Sequence, residues 1–358
     1  LYPSALLSID DPPLLLYLLG DARLAADGST GQAGAEVNPW LVTFNVAGAR
    51  TDITAASSEQ EGVSRNPWFI RFNETGDQDI VTPNDQTLRN FVYEEFAGND
   101  TLSVFSYADT DGQVFNSLVE YGVAQPRDLA VFQDYTRITG LNFGGTLSIT
   151  GVDNLNVYMN QGDDTVNVGG TTAQTLIWVG GGNNDFNVGN ADGSLDDVLG
   201  QLTLDGAWGT SSLVVTDSGD ADADTAASMS YDAVSGLATL AGFAPADIIY
   251  KSYSTTIGAY DTVTVYGANG GNTITVESLR GDADVTIEAG AGSDDVIVLG
   301  GVITGGTNSL TILGQTGADI IDASLSGLRV YVEGNEGDDT IYGSNLDDVL
   351  AGNDGDDI

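Results

Sequence analysis

The stretch Gly334-Asn335-Glu336-Gly337-Asp338-Asp339-Thr340-Ile341-Tyr342 runs directly into Gly343-Ser344-Asn345-Leu346-Asp347-Asp348-Val349-Leu350-Ala351. Gly352-Asn353-Asp354-Gly355-Asp356-Asp357 follows. Glycines at 334, 343 and 352 set a period of nine. Each copy has the same physical logic. Glycine allows positive φ and close backbone approach, so Gly334, Gly337, Gly343, Gly352 and Gly355 suit sharp corners. A carboxylate follows two residues after the corner, and an apolar residue four after it begins a short strand facing a core.

A looser form, Gly-x-Asp/Asn-x-apolar, extends outward from this stretch. It begins at Gly162-Asp163-Asp164-Thr165-Val166 and continues through Gly182-Asn183-Asn184-Asp185-Phe186 and Gly209-Thr210-Ser211-Ser212-Leu213. Further copies are Gly270-Gly271-Asn272-Thr273-Ile274, Gly292-Ser293-Asp294-Asp295-Val296 and Gly317-Ala318-Asp319-Ile320-Ile321. The corner glycines thus stand at 162, 182, 209, 270, 292, 317 and 337, in steps of 20 to 27 residues except for the 61 between 209 and 270. Such spacing reads as one coil of a solenoid per unit. The long gap holds residues 217–247, with Asp217, Asp220, Asp222 and Asp224, and suits an extra loop or hairpin inserted between coils.

The expected fold is all-β: a β-solenoid, as a parallel β-helix or β-roll, with a preceding β-rich domain. Residues 1–36 read as a leader, with a short helix after Pro12-Pro13 and then a small-residue link. Residues 37–144 read as the β-rich domain. There Asn38-Pro39-Trp40-Leu41-Val42-Thr43-Phe44-Asn45 recurs as Asn66-Pro67-Trp68-Phe69-Ile70-Arg71-Phe72-Asn73. Its apolar residues alternate as a half-buried strand requires. Residues 145–333 read as solenoid coils. Residues 334–358 read as the tight nine-residue repeats, expected to continue past Ile358.

Charge narrows the function. Acidic residues number 52 against 10 basic, a formal net charge of -42. Nucleic acid is excluded as a partner, because phosphate binding needs clustered Lys and Arg. The chain has no His and no Cys. This removes Ser-His-Asp hydrolysis, His-based metal sites and disulfides, and leaves hard cations bound by oxygen. No apolar run approaches the roughly 20 residues of a membrane span. Calcium fits this donor set, since it takes six to eight oxygens and offsets the self-repulsion. Asn184, Asn272 and Ser211 occupy the carboxylate slot without charge, where a hydrogen-bonded ladder is the structural alternative.

The nine-residue repeats resemble the RTX nonapeptide, G-G-x-G-x-D-x-U-x, of calcium β-rolls. Asp339, Asp348 and Asp357 fall on that family's aspartate position, and Ile341 and Leu350 on its apolar position. Asn335, Ser344 and Asn353 replace the second glycine, and Leu346 replaces the third in the middle copy. The resemblance implies bound Ca²⁺ at Asp339, Asp348 and Asp357, with Asp338, Asn335 and Asn353 beside them. The same chemistry extends to Asp164, Asp294 and Asp319 in the looser coils. The opening residues resemble the LEPR-XLL motif of giant bacterial surface proteins: Leu1, Pro3, Leu6, Leu7, Ser8 and Asp10 match, while Tyr2 and Ser4 depart. That likeness implies an extracellular or cell-surface location and a structural or adhesive role.

The expected function is therefore non-enzymatic: a calcium-stabilised surface-layer, fibre or matrix component that self-associates through its coils. One alternative is an adhesin or carbohydrate-binding module, with a surface polysaccharide stacked on Trp40, Trp68, Tyr93 or Trp208. A more remote one is a polysaccharide-active β-helix enzyme using Asp196 with Asp197, or Asp294 with Asp295, near Arg280, Arg329 or Lys251. Asn73 and Asn99 begin glycosylation sequons.

Overall fold

Alternating apolar and polar residues fold this chain into strands. The computed structural model describes residues 22–25, 40–44, 50–54, 68–72, 78–81, 91–94, 101–106, 114–123, 132–141, 147–159, 162–253, 261–279, 283–298 and 310–358. Among them there is no helix. The helix expected after Pro12-Pro13 lies outside the described residues, although Ala22–Ala25 at its far end form a strand. Two compact units are present: Leu1–Gln161 with Thr171–Trp178, and Gly162–Gly170 with Val179–Ile358.

In the first unit, Trp40–Phe44 and Trp68–Phe72 pair in parallel, with Trp40 opposite Trp68. Trp68–Phe72 pairs in parallel with Phe91–Glu94, and that strand with Leu147–Thr150. A second parallel ladder takes the intervening strands, Arg50–Thr54, Gln78–Val81, Thr101–Ser106, Asn154–Met159 and Gln174–Trp178. The composition changes near residue 145, but the parallel pairing runs across that point unchanged. An antiparallel hairpin, Val114–Val123 with Phe132–Gly140, departs from the pattern.

The second unit also alternates between two ladders. One is parallel throughout: Thr165–Val168, Gly182–Val188, the later half of Leu202–Thr216, Asp261–Tyr266, Ala283–Glu288, Leu310–Thr316, Val330–Glu336 and Val349–Asp354. The other stacks Thr273–Val276, Asp295–Val298, Ile320–Asp322 and Thr340–Tyr342 in parallel. Thr273 faces Asp295, Asp295 faces Ile320 and Ile320 faces Thr340. Each of these four residues stands three places after a corner glycine, at 270, 292, 317 and 337, so the register follows the glycine spacing of the sequence. In the last coil Tyr331 faces Val349, two nine-residue repeats further on.

The segment 217–247 forms part of this second ladder. Ala227–Asp232 pairs in parallel with Thr273–Val276 and antiparallel with Leu237–Ala241, which pairs antiparallel with Ile248–Tyr253. Ile248–Tyr253 then runs parallel to the early half of Leu202–Thr216. Two extra strands are thereby set between successive coils on one face only. The apolar residue of the six looser repeats lies in the core: Val166, Phe186, Leu213, Ile274, Val296 and Ile321 are all 0% exposed, whereas Leu350 of the nine-residue copies is 45% exposed. Phe186 packs edge-on against the Tyr250 ring, with centroids 5.9 Å apart.

Candidate functional site

The repeat glycines stack on one another. Gly182, Gly292, Gly317 and Gly337 have φ of +146°, +117°, +140° and +137°. A Cβ on Gly337 would lie 1.4 Å from Gly317 O, and one on Gly317 would lie 1.5 Å from Gly292 O. Gly355 and Gly182 meet Gly337 O and Gly162 O at 1.7 and 1.9 Å. Only glycine allows neighbouring corners to sit this close. Asn335 and Asn353 stand where the nonapeptide has its second glycine, and both have φ of +76°. Asparagine is among the side chains that tolerate this conformation, which accounts for the exchange.

The polar slot two residues after the corner glycine forms a column. Asp224 N–H donates to Asn272 Oδ1 (2.8 Å), Asn272 N–H to Asp294 Oδ1 (2.5 Å), and Asp294 N–H to Asp319 Oδ1 (2.9 Å). Asp319 N–H donates to Asp339 Oδ1 (2.9 Å) and Asp339 N–H to Asp357 Oδ1 (3.0 Å). Each side chain thus accepts from the backbone of the preceding coil. Asn272, Asp294, Asp319 and Asp339 are buried at 1% exposure. On the other ladder Asp164 N–H donates to Asn184 Oδ1 and Ser211 N–H to Asp261 Oδ1.

The nine-residue copies alternate between two places. Asp339 and Asp357, two copies apart, share the column. Asp348 lies elsewhere: its Oδ1 accepts from Val330 N–H (2.9 Å), and Ser344 Oγ–H reaches both carboxylate oxygens (2.8 and 2.9 Å). Asp338 Oδ1 accepts from Asp356 N–H at the exposed edge.

A second relation sets the chemistry. At Asn272, Asp319, Asp339 and Asp357 the column side chain folds back over the glycine five residues before it. The space above Gly334 Cα, where a Cβ would go, has Asp339 Oδ2 at 2.0 Å and Gly352 O at 2.9 Å. Above Gly314 lie Asp319 Oδ2 (2.3 Å) and Gly334 O (2.7 Å). Asn272 occupies the same place over Gly267, and there Nδ2 donates to Ala268 O (2.8 Å) and Ala289 O (2.7 Å). Where asparagine brings hydrogens to the carbonyls, aspartate brings an oxygen. Asp339 Oδ2 is buried and receives no hydrogen bond from the described residues. An acceptor facing acceptors fits a cation or a proton.

Among the described residues, no group of three or more acidic side chains converges as a metal cluster. A cation on the column would therefore rely on one carboxylate per coil together with turn carbonyls. The sequence reading passed over Asp224 and Asp261 as members of these columns. Gly267 with Asn272, Gly314 with Asp319, Gly334 with Asp339 and Gly352 with Asp357 share the five-residue spacing that identifies the slot.

The remaining candidates are placed as follows. Lys251 pairs with Asp205 at 3.6 Å. Arg329 Nε donates to Asp347 O (2.6 Å), and Asn190 Nδ2 to Asp197 Oδ2 (3.0 Å). Asn73, Asn99 and Arg280 lie outside the described residues. No family model matches the chain, and no curated protein matches it.

Proposed function

We propose that the chain is a calcium-stabilised β-solenoid serving as an extracellular structural component. The observation that carries the reading is Asp339 in the slot that Asn272 fills with hydrogen bonds. With aspartate there, the buried oxygen and the neighbouring carbonyl repel unless something positive lies between them. Ca²⁺ suits oxygen-only donors, and it is the ion implied by the resemblance of 334–357 to RTX repeats. Asp319 and Asp294 continue the same column and would share the ions, whereas Asp348 would act by stacking through Ser344.

How the polar groups are used supports a structural role. The column carboxylates and turn glycines are engaged in coil-to-coil contacts, which build a repeating scaffold. Leu346, Val349 and Leu350 are about half exposed on the last described coil. They supply an apolar surface for self-association, as another coil or a second copy would cover it.

Calcium binding to the full chain, measured by equilibrium dialysis, tests the reading together with particle size by light scattering in calcium and in EDTA. Saturable binding and a chelator-reversible change in size are expected. Absence of saturable binding would remove calcium from the proposal, and a monodisperse monomer in both media would remove self-association.

A further inference from the structure

Asn-Gly occurs at one place in the sequence, Asn269-Gly270. The pair lies in the turn between Asp261–Tyr266 and Thr273–Val276, and Asn269 is exposed. Glycine after asparagine leaves its backbone nitrogen free to approach the preceding side-chain carbonyl carbon, because no Cβ hinders it. Packing imposes the glycine here, since a Cβ on Gly270 would lie 2.7 Å from Ala223 Cα.

Several donors around Gly270 are engaged. Gly267 N–H donates to Glu288 O (2.8 Å), Asn269 N–H to Asp220 O (2.7 Å) and Thr273 N–H to Asp224 O (2.7 Å). Gly270 N–H donates to no group among the described residues. No backbone bond therefore has to break to free that nitrogen for attack. The Asn269 side chain has one anchor, Nδ2–H to Ser218 O (2.5 Å), at an exposed position where water competes for the donor. Asn272 in the same turn is protected by contrast. It is buried, its Nδ2 donates to Ala268 O and Ala289 O, and the β-branched Thr273 follows it. Within this turn the reactive amide is that of Asn269.

Its position gives the reaction a consequence. Asn269 lies inside the span from Gly267 to Asn272 over which the Asn272 side chain folds back. Asn272 is held on both sides of the column: its N–H donates to Asp294 Oδ1 (2.5 Å), and its Oδ1 accepts from Asp224 N–H (2.8 Å). One more main-chain carbon between Gly267 and Asn272 adds about 1.5 Å of chain, and a turn fixed at both ends has no slack for it.

We propose that Asn269 is a site of spontaneous conversion to isoaspartate, which unhooks Asn272 and breaks the column between Asp224 and Asp294.

The steps balance without an oxidant or a cofactor. The Gly270 nitrogen gives its proton to base and bonds to Asn269 Cγ. The Cγ–Nδ2 bond breaks, and the side-chain nitrogen takes up a proton and leaves as ammonia. Water then opens the cyclic imide. Attack at Cγ leaves aspartate; attack at the main-chain carbonyl leaves isoaspartate, whose backbone runs through Cβ and Cγ. Either product replaces the donor to Ser218 O with a carboxylate oxygen, so acceptor faces acceptor. Isoaspartate alone lengthens the main chain.

The test is incubation of the full chain in mildly alkaline buffer at constant calcium, followed by peptide mapping and hydrogen exchange. A gain of one mass unit is expected in the peptide containing Asn269, with isoaspartate detected by enzymatic methylation of its α-carboxyl group. The rate should rise with hydroxide concentration, and Asn269→Gln should show no conversion at that position. In the aged chain, exchange protection of 217–226 and 266–276 should fall by at least about tenfold while 162–168 keeps its protection. Asn269→Asp changes the charge without adding a carbon and should lose less. An aged wild type with Asn269 intact would overturn the site. Converted chain whose 217–226 and 266–276 peptides exchange no faster than those of Asn269→Asp would overturn the broken column.

Discussion

Replacing Asp339 with Asn separates the two roles the column could have. Oδ1 still accepts from Asp319 N–H, so the 2.9 Å bond to the preceding coil survives. The new amide hydrogens enter the space over Gly334 where Gly352 O lies 2.9 Å from the Cβ position. Asn272 already makes two hydrogen bonds from the equivalent place. A buried acceptor left without a donor costs about 1–3 kcal/mol, and more when charged, while each bond gained contributes about 0.5–1.5 kcal/mol. In EDTA the variant should therefore be more stable than the wild type by about 2–3 kcal/mol in that coil. With calcium at about a hundredfold over Kd, the wild type gains about 2.7 kcal/mol per site and the variant does not. The order of stability then narrows to parity or inverts between the two media. Exchange protection of the 334–342 peptide in urea is the appropriate readout, because stacked coils need not unfold as one unit. An equal loss of protection in both media would refute the reasoning, since Asp339 would then matter only as a hydrogen-bonded spacer.

Two further substitutions probe the scaffold itself. Gly337→Ala places a Cβ 1.4 Å from Gly317 O at a φ of +137°; it should cost about 3 kcal/mol or more and open the coil below it. Gly327→Ala meets nothing within 4 Å and should be neutral or stabilising by up to about 1 kcal/mol, which urea melts of both variants would check. Phe186→Ala empties a fully buried position against Tyr250; a loss of about 3–5 kcal/mol by thermal or urea unfolding is expected, and under about 1 kcal/mol would mean the core collapses freely there.

The corners and the core were legible because each is a local demand. A glycine that must sit against its neighbour's carbonyl tolerates no other residue, and Val166, Phe186, Leu213 and Ile274 follow it at a fixed step into the interior. The division at residue 145 was read from texture, which carries no information about pairing. Aromatic residues in Trp40–Phe44 and Trp68–Phe72 stack in parallel as readily as the valines and threonines that come later. The path through 217–247 was only partly readable. Ala227 faces Ile274 and Ser212 faces Thr262, each far along the chain, and no local pattern specifies such partners. The slot over the glycine five residues back was also missed, since the side chain's direction, rather than its spacing from the corner, places it there.

The order of Asx residues along the column says where a cation would matter. From Asp294 the run is Asp319, Asp339 and Asp357, carboxylates in the turns of successive coils, whose strands stack about 4.8 Å apart. At an effective dielectric constant of about 20, each neighbouring pair repels by about 3 kcal/mol if nothing intervenes. Asn272 interrupts the series, and beyond it Asp224 stands alone. In the corresponding slot of the other ladder Asp164 adjoins Asn184 and Asp261 adjoins Ser211, a carboxylate beside a neutral side chain each time. Removing divalent cations should therefore loosen the coils in one direction. Exchange in EDTA should rise across 294–298, 310–322 and 330–342 while 162–168 and 182–188 stay protected, with the boundary at the turn holding Asn272. A uniform rise would point to general screening of the -42 charge. A boundary at Asn272 would mean that the exchange of one oxygen for one amide decides which coils depend on the ion.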